Sequence, residues 1–255
     1  MLCPSTLRSS QLLGGGAAPN NWSEPPTVGY DLGDPGRPSD VPTLLIPVFD
    51  NSGSVTAPVG TDPLSNRFSE VTRAFSVVAR KGSRHELGAV VHFDTPTSGD
   101  IGPVPLTRLG LLTLRRGLRV PPDGAGSSEL APSLQRAVEI AETRPGYAAT
   151  LVVLSDFQLL DREPSQVLSD LAAFPGDVHA VVLGGYLPAG VLDERITVTR
   201  IQRDDPPGAV ARAVFASLMT HRQRAPSSGS GTDGLAGGRT SWIPQRFFRR
   251  HTTTP

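Results

Sequence analysis

The sequence predicts an α/β protein: a Rossmann-like, mostly parallel central sheet flanked by helices on both faces. Apolar runs of strand length recur at 44–49, 87–93, 151–154 and 178–183. They are nearly continuous rather than alternating, which is how strands covered on both faces read. Between them lie segments whose apolar residues fall three and four apart, and strands alternating with helices build a parallel sheet wrapped by those helices.

Taken in order, the run Leu44-Leu45-Ile46-Pro47-Val48-Phe49 is the first strand, and the polar stretch from Asp50 through Pro58 and Gly60 is a loop. Asp62-Pro63 reads as a helix start, with an acid as cap and proline in the first turn. Phe68, Val71, Phe75 and Val78 continue it at helical spacing until Lys81-Gly82. Residues 87–93 form the next strand, and Val104-Pro105-Leu106 suits a short edge strand, where proline is tolerated. A leucine-rich helix spans about 107–118. The turn-rich Pro121-Pro122-Asp123-Gly124-Ala125-Gly126-Ser127-Ser128 leads into a helix with Leu130, Leu134, Val138 and Ala141 on one face. A buried strand at 151–154 ends in Ser155-Asp156. A helix around 166–174, a strand at 178–183, an extended segment at 196–201 and a last helix through Val210, Val214 and Leu218 complete the pattern.

Composition divides the chain into three. Residues 1–42 hold seven Pro and six Gly among few large apolar side chains, too little buried surface to offset chain entropy. Residues 222–255 pass through Ser227-Ser228-Gly229-Ser230-Gly231 and have a flexible-linker composition. The middle, 43–221, is left as one domain of roughly 180 residues, a common size for a single core. The formal net charge is zero, so no global excess points to nucleic acid. Residues 222–255 alone carry six Arg against one Asp, which makes them a basic tail. Lys81 is the sole lysine beside 23 arginines, a bias that, with abundant Ala, Gly and Pro, reads as coding in a GC-rich genome. Cys3 is the sole cysteine, so neither an internal disulfide nor a cysteine zinc cluster is available. No signal peptide and no apolar run near the roughly 20 residues of a membrane span is visible, so a cytoplasmic protein is expected.

The chemistry concentrates at Asp50-Asn51-Ser52-Gly53-Ser54, the loop at the carboxyl end of the first strand, where ligands bind in open α/β sheets. One carboxylate and two hydroxyls are hard oxygen donors suited to Mg²⁺ or Mn²⁺. Read alone, the same residues make an Asx-type turn. The pattern Asp-x-Ser-x-Ser resembles the opening motif of the von Willebrand factor type A domain, where it forms a metal-ion-dependent adhesion site. That family's second motif, Gly-Gly-Thr-x-Leu, is matched by Gly126-Ser127-Ser128-Glu129-Leu130, and its third, Thr-Asp-Gly, by Ser155-Asp156-Phe157. The resemblance covers about residues 43–221. It implies that Ser52, Ser54 and Ser128 touch the metal while Asp50 and Asp156 act mostly through bound water. Three departures stand out: Ser128 replaces Thr, Ser127 replaces the second glycine, and Phe157 replaces a glycine and puts an aromatic near the metal face.

The resemblance further implies a metal-dependent protein-binding module, in which a Glu or Asp of a partner protein completes the coordination of Mg²⁺ or Mn²⁺. Intracellular bacterial relatives often work beside ATPases or in stress and defence systems, so an adaptor or assembly role without catalysis is the expectation. Two other readings stand. A phosphotransfer hydrolase of the haloacid-dehalogenase type would use Asp50 as nucleophile, but Ser52 stands where its second acid belongs and Lys81 is at the wrong end of its helix. A scaffold would instead act through the basic tail, whose Trp242-Ile243-Pro244-Gln245-Arg246-Phe247-Phe248-Arg249-Arg250 mixes aromatics with arginines. His92 and His179 fall in strands and are expected to be structural, and Asp123 to be a solvated turn residue.

Overall fold

The computed structural model describes residues 29–184, 187 and 190–222. Six strands form one sheet in the order β3-β2-β1-β4-β5-β6, comprising β1 (Thr43–Phe49), β2 (Glu86–His92), β3 (Ile101–Pro105), β4 (Ala148–Ser155), β5 (Asp177–Leu183) and β6 (Thr197–Ile201). All neighbours run parallel except β3, which pairs antiparallel to β2 at one edge. The helices are α1 (Gly53–Thr56), α2 (Arg67–Ala79), α3 (Arg108–Gly117), α4 (Ala131–Glu142), α5 (Pro164–Ala172) and α6 (Ala209–Met219).

Alternation along β1 assigns its side chains to two cores, because successive residues of a strand point to opposite faces. Leu44, Ile46 and Val48 pack with Leu134 and Ala137 of α4 and Leu171 of α5. Leu45 and Phe49 face the other way, against Phe75 of α2, Leu114 of α3 and Val214 of α6. Every residue of β2 is buried, as its continuous apolar run implies. The expected architecture is therefore the observed one, and β3 is the edge strand that tolerates proline.

The chain departs from expectation at three places. Helix α2 starts not at Asp62-Pro63 but at Asn66, whose side chain accepts hydrogen bonds from the N–H groups of Phe68 and Ser69 at 3.0 and 3.2 Å. Asp62 is drawn instead into an ion pair with Arg67 at 2.6 Å. The stretch after β1 holds a single helical turn, α1, where a loop was expected.

The third departure concerns the domain boundaries. Residues 29–42 were assigned to an unstructured segment and Arg222 to a tail, yet both belong to the packed body. Arg222 is buried and ion-paired to Glu86 at 2.6 Å, and it also donates to the carbonyls of Pro35 and Lys81. The same Glu86 accepts from the N–H groups of Ser39 and Ser83. One buried carboxylate thus gathers the segment before β1, the turn before β2 and the end of α6. Composition shows no trace of this, because the pairing spans 136 residues of sequence. Residues 1–28 and 223–255, including the aromatic–arginine string, lie outside the described residues.

Candidate metal centre

Loops after β1, β2 and β4, together with the segment entering α4, meet at the carboxyl ends of the central strands. Asp50 directly follows β1, and its N–H continues the ladder to the carbonyl of Leu154 at 3.1 Å. Its carboxylate is 1% exposed and fully engaged. Oδ1 accepts the Ser52 N–H at 2.8 Å, and Oδ2 accepts the Ser155 hydroxyl at 2.6 Å. Burial pushes the Asp50 carboxyl above the ordinary carboxylate range, against the pull of the Ser155 and Ser52 hydrogen bonds, and the charge of Asp156 adds to the rise. The Asx turn is therefore real, and the same carboxylate that makes it also fixes the serine loop.

That loop presents two hydroxyls together. Ser52 Oγ and Ser54 Oγ lie 3.0 Å apart, and the turn of α1 that carries them is closed by Val55 and Thr56 N–H groups bonding to the Ser52 carbonyl. Asp156 follows β4, the parallel neighbour of β1, and is 4% exposed. Its Oδ1 accepts the Gln158 N–H at 3.1 Å, while its Oδ2 is buried with no protein partner. Such an orphaned oxygen is costly unless something outside the protein chain satisfies it.

Ser128 reaches the same end of the sheet through backbone contacts. Its carbonyl accepts the N–H of Leu160, two residues beyond Gln158, at 3.1 Å. Gly126 sits at φ +71, and a side chain there would come within 3.7 Å of the Asn51 carbonyl. The first glycine of the motif thus does the left-handed turning, which explains why Ser127 can replace the second. Among the described residues the Ser128 hydroxyl takes no hydrogen-bond partner, so its lone pairs remain available.

Several supporting residues were missed by sequence reading. Asp94, at the end of β2, accepts the Ser127 N–H at 2.6 Å and anchors the Ser128 loop, and its Oδ2 is buried without a partner. Asp161 caps α4 by accepting from Leu130 and Ala131 N–H groups, each at 2.9 Å. Arg67 is fully buried, donates to the Asp50 carbonyl at 2.7 Å and to Asn51 Oδ1 at 3.1 Å, and lies 4.5 Å over the Phe68 ring. An acid just past an apolar strand is the signal that flags Asp94 in retrospect. Nothing local flags Arg67 or Asp161.

Phe157 occupies the family's glycine position at φ +57, a left-handed conformation that disfavours side chains. Its N–H donates to Ser155 Oγ at 2.8 Å, and its ring packs on the core shared with α4 and α5. Asp123 is exposed and binds the Ser98 N–H and hydroxyl, so it takes no part in the centre.

No protein-family model matches the sequence, and no curated protein matches it. Solved structures do share its architecture. The pilus adhesin SpaC from Lactobacillus rhamnosus GG matches with a TM-score of 0.52 at 11% identity, over 72% of this chain and 30% of that one. A von Willebrand factor type A protein from Catenulispora acidiphila matches at 0.48 and 16% identity, over 70% of this chain and 43% of that one. The SpRpn10 VWA domain matches at 0.47 and 13% identity, over 72% of this chain and all of that one.

The chain has a Rossmann-like α/β fold, which the SpaC adhesin shares.

It spans less than half the length of the first two of these proteins and the whole of the third, an isolated VWA domain. The three expected motifs fall on the loops after β1, before α4 and after β4. Their donors suit a hard divalent cation: three hydroxyls and two carboxylates, one of these with an oxygen to spare. Among the described residues no three His, Cys, Asp or Glu side chains gather to hold a metal.

Proposed function

We propose that the chain is a protein-binding module whose VWA domain uses a Mg²⁺ or Mn²⁺ ion, held by Ser52, Ser54 and Ser128, to capture a Glu or Asp of a partner protein. Asp50 and Asp156 support the ion from beneath, largely through water. The observation that carries this reading is the division of labour between the two acids. Asp50 spends both oxygens on the protein, holding the serine loop, while Asp156 keeps one buried oxygen unspent.

When bound, the ion supplies uncompensated positive charge, since three neutral hydroxyls and water offset little of it. A carboxylate from outside is the natural complement, and no bond in the partner need change. The chain's own residues do the rest: Asp50 fixes the spacing of Ser52 and Ser54, Asp94 holds the backbone before Ser128, and Asp161 ties the loop after β4 to α4.

We read the module as non-catalytic. A phosphatase nucleophile needs an accessible carboxylate oxygen, and both oxygens of Asp50 are buried acceptors. An intracellular adaptor or assembly role, beside an ATPase or within a bacterial stress or defence system, is the setting we propose.

Metal titration tests the reading. Millimolar Mg²⁺ or Mn²⁺ should raise the melting temperature, since a ligand of the native state stabilises it by mass action. Asp156→Ala and the double variant Ser52→Ala/Ser54→Ala should abolish that rise. A melting temperature indifferent to metal in the wild type would remove the site. Steady turnover of a phosphate ester, lost in Asp50→Asn, would replace the module with an enzyme.

A further inference from the structure

Helix α3 shows an outer face that the fold leaves unused. Leu111, Leu114 and Gly117 are its buried side. At about 100° per residue, Arg108, Leu109, Leu112, Arg115 and Arg116 fall within an arc of about 120° on the opposite side. Leu109 is 79% exposed and Leu112 58%, and all three arginines are exposed. Arg119 and Val120, also exposed, extend the surface beyond the helix end. Residues 101–122 contain four arginines and no acid, and none of the four is ion-paired among the described residues. Apart from the basic stretch 222–255, this is a local cationic ridge in a chain of zero formal net charge.

Helix α3 packs on the antiparallel edge strand β3, and the two leucines project from it. Two neighbouring leucines held in water amid arginines cost free energy unless something covers them. A soft, negatively charged, planar surface matches both features: arginines attract it and protruding leucines enter its headgroup layer. A nucleic acid would satisfy the arginines but offer nothing to the leucines.

We propose that the outer face of α3 docks the domain on an anionic lipid bilayer. The attachment is peripheral, since among the described residues no helix is long and apolar enough to cross a membrane. It is independent of the metal centre, so chelator leaves lipid binding unchanged.

The test is sedimentation of the full chain with phosphatidylcholine vesicles containing about a third phosphatidylserine, in the presence of chelator. Binding is expected to need phosphatidylserine and to weaken with salt. Each arginine near such a surface contributes on the order of fivefold, so Arg115→Glu/Arg116→Glu should weaken binding by more than tenfold. Leu109→Ser/Leu112→Ser keeps the charge and should weaken it severalfold. All four positions are exposed, and an unchanged thermal melt verifies that the variants fold. Absence of phosphatidylserine-dependent binding overturns the proposal. So does binding that both double variants retain in full, which would assign it to the basic residues after 222. Capture of polyglutamate in preference to vesicles overturns it in favour of an acidic protein.

Discussion

The side-chain amide of Asn51 donates to Nδ1 of His92 across 2.9 Å, joining the serine loop after β1 to the neighbouring strand. The other ring nitrogen, Nε2, donates to the Gly117 carbonyl at 2.9 Å, so this arrangement needs the neutral ring with its proton on Nε2. Asn51 Oδ1 meanwhile accepts from Arg67, whose guanidinium also holds the Asp50 carbonyl. The loop carrying Ser52 and Ser54 is therefore braced from below by a cation, an amide and an imidazole in series.

Stability should fall as pH drops below about 6.5. Burial lowers the His92 pKa from its ordinary 6.5, and burial does the same to His179, wedged between Ser217 and Thr199 hydroxyls. The unfolded chain then takes up protons that the folded chain refuses, so protonation favours unfolding from pH 6.5 downward until the depressed folded values are reached. The slope approaches at most about 1.4 kcal/mol per pH unit for each histidine. Urea denaturation between about pH 7.5 and 5 should show His179→Gln with a shallower slope than the wild type. Parallel curves would mean that His179 does not contribute.

Asp94→Ala should weaken Mn²⁺ binding by on the order of tenfold, the usual effect of losing a group that orients a ligand. Asp94→Asn keeps an oxygen for the Ser127 N–H and should lose much less. Isothermal titration with Mn²⁺ separates the two. Equal losses would instead assign the carboxylate's charge, rather than its hydrogen bond, to the site.

Asp161→Ala should destabilise the domain by about 1–2 kcal/mol, because two N–H groups at the start of α4 lose their acceptor. Asp161→Asn should recover part of this. Thermal melts without metal measure it, and an unchanged melting temperature would show that water caps the helix equally well.

Phe157 poses a contest between backbone and side chain. Both Phe157→Gly and Phe157→Ala lose the ring's packing, but only glycine relieves the left-handed φ. The glycine variant should be more stable than the alanine variant by about 1 kcal/mol. Equal stabilities would indicate that the loop relaxes out of this conformation once the ring is gone.

Local patterns carried much of this protein. Continuous apolar runs mark β1, β2, β4 and β5 because strands buried on both faces admit few polar side chains. The loop after β1 stood out because an acid and alternating hydroxyls abruptly follow such a run. Helix α2 began later than expected because Asp62-Pro63 and Asn66 both satisfy the chemistry of a start. Arg67 settles that choice by turning Asp62 into a counter-ion.

By itself the sequence determined the α/β class, the order of its elements and the loops that hold the candidate ligands. These follow from side-chain periodicity and turn chemistry, which act over a few residues. Only the tertiary structure decided which acids support those ligands, that Glu86 binds Arg222 across 136 residues, and that α3 turns leucines outward among arginines. Such pairings depend on which strands become neighbours, a choice made by burying the whole sheet at once, and no short window of residues contains it.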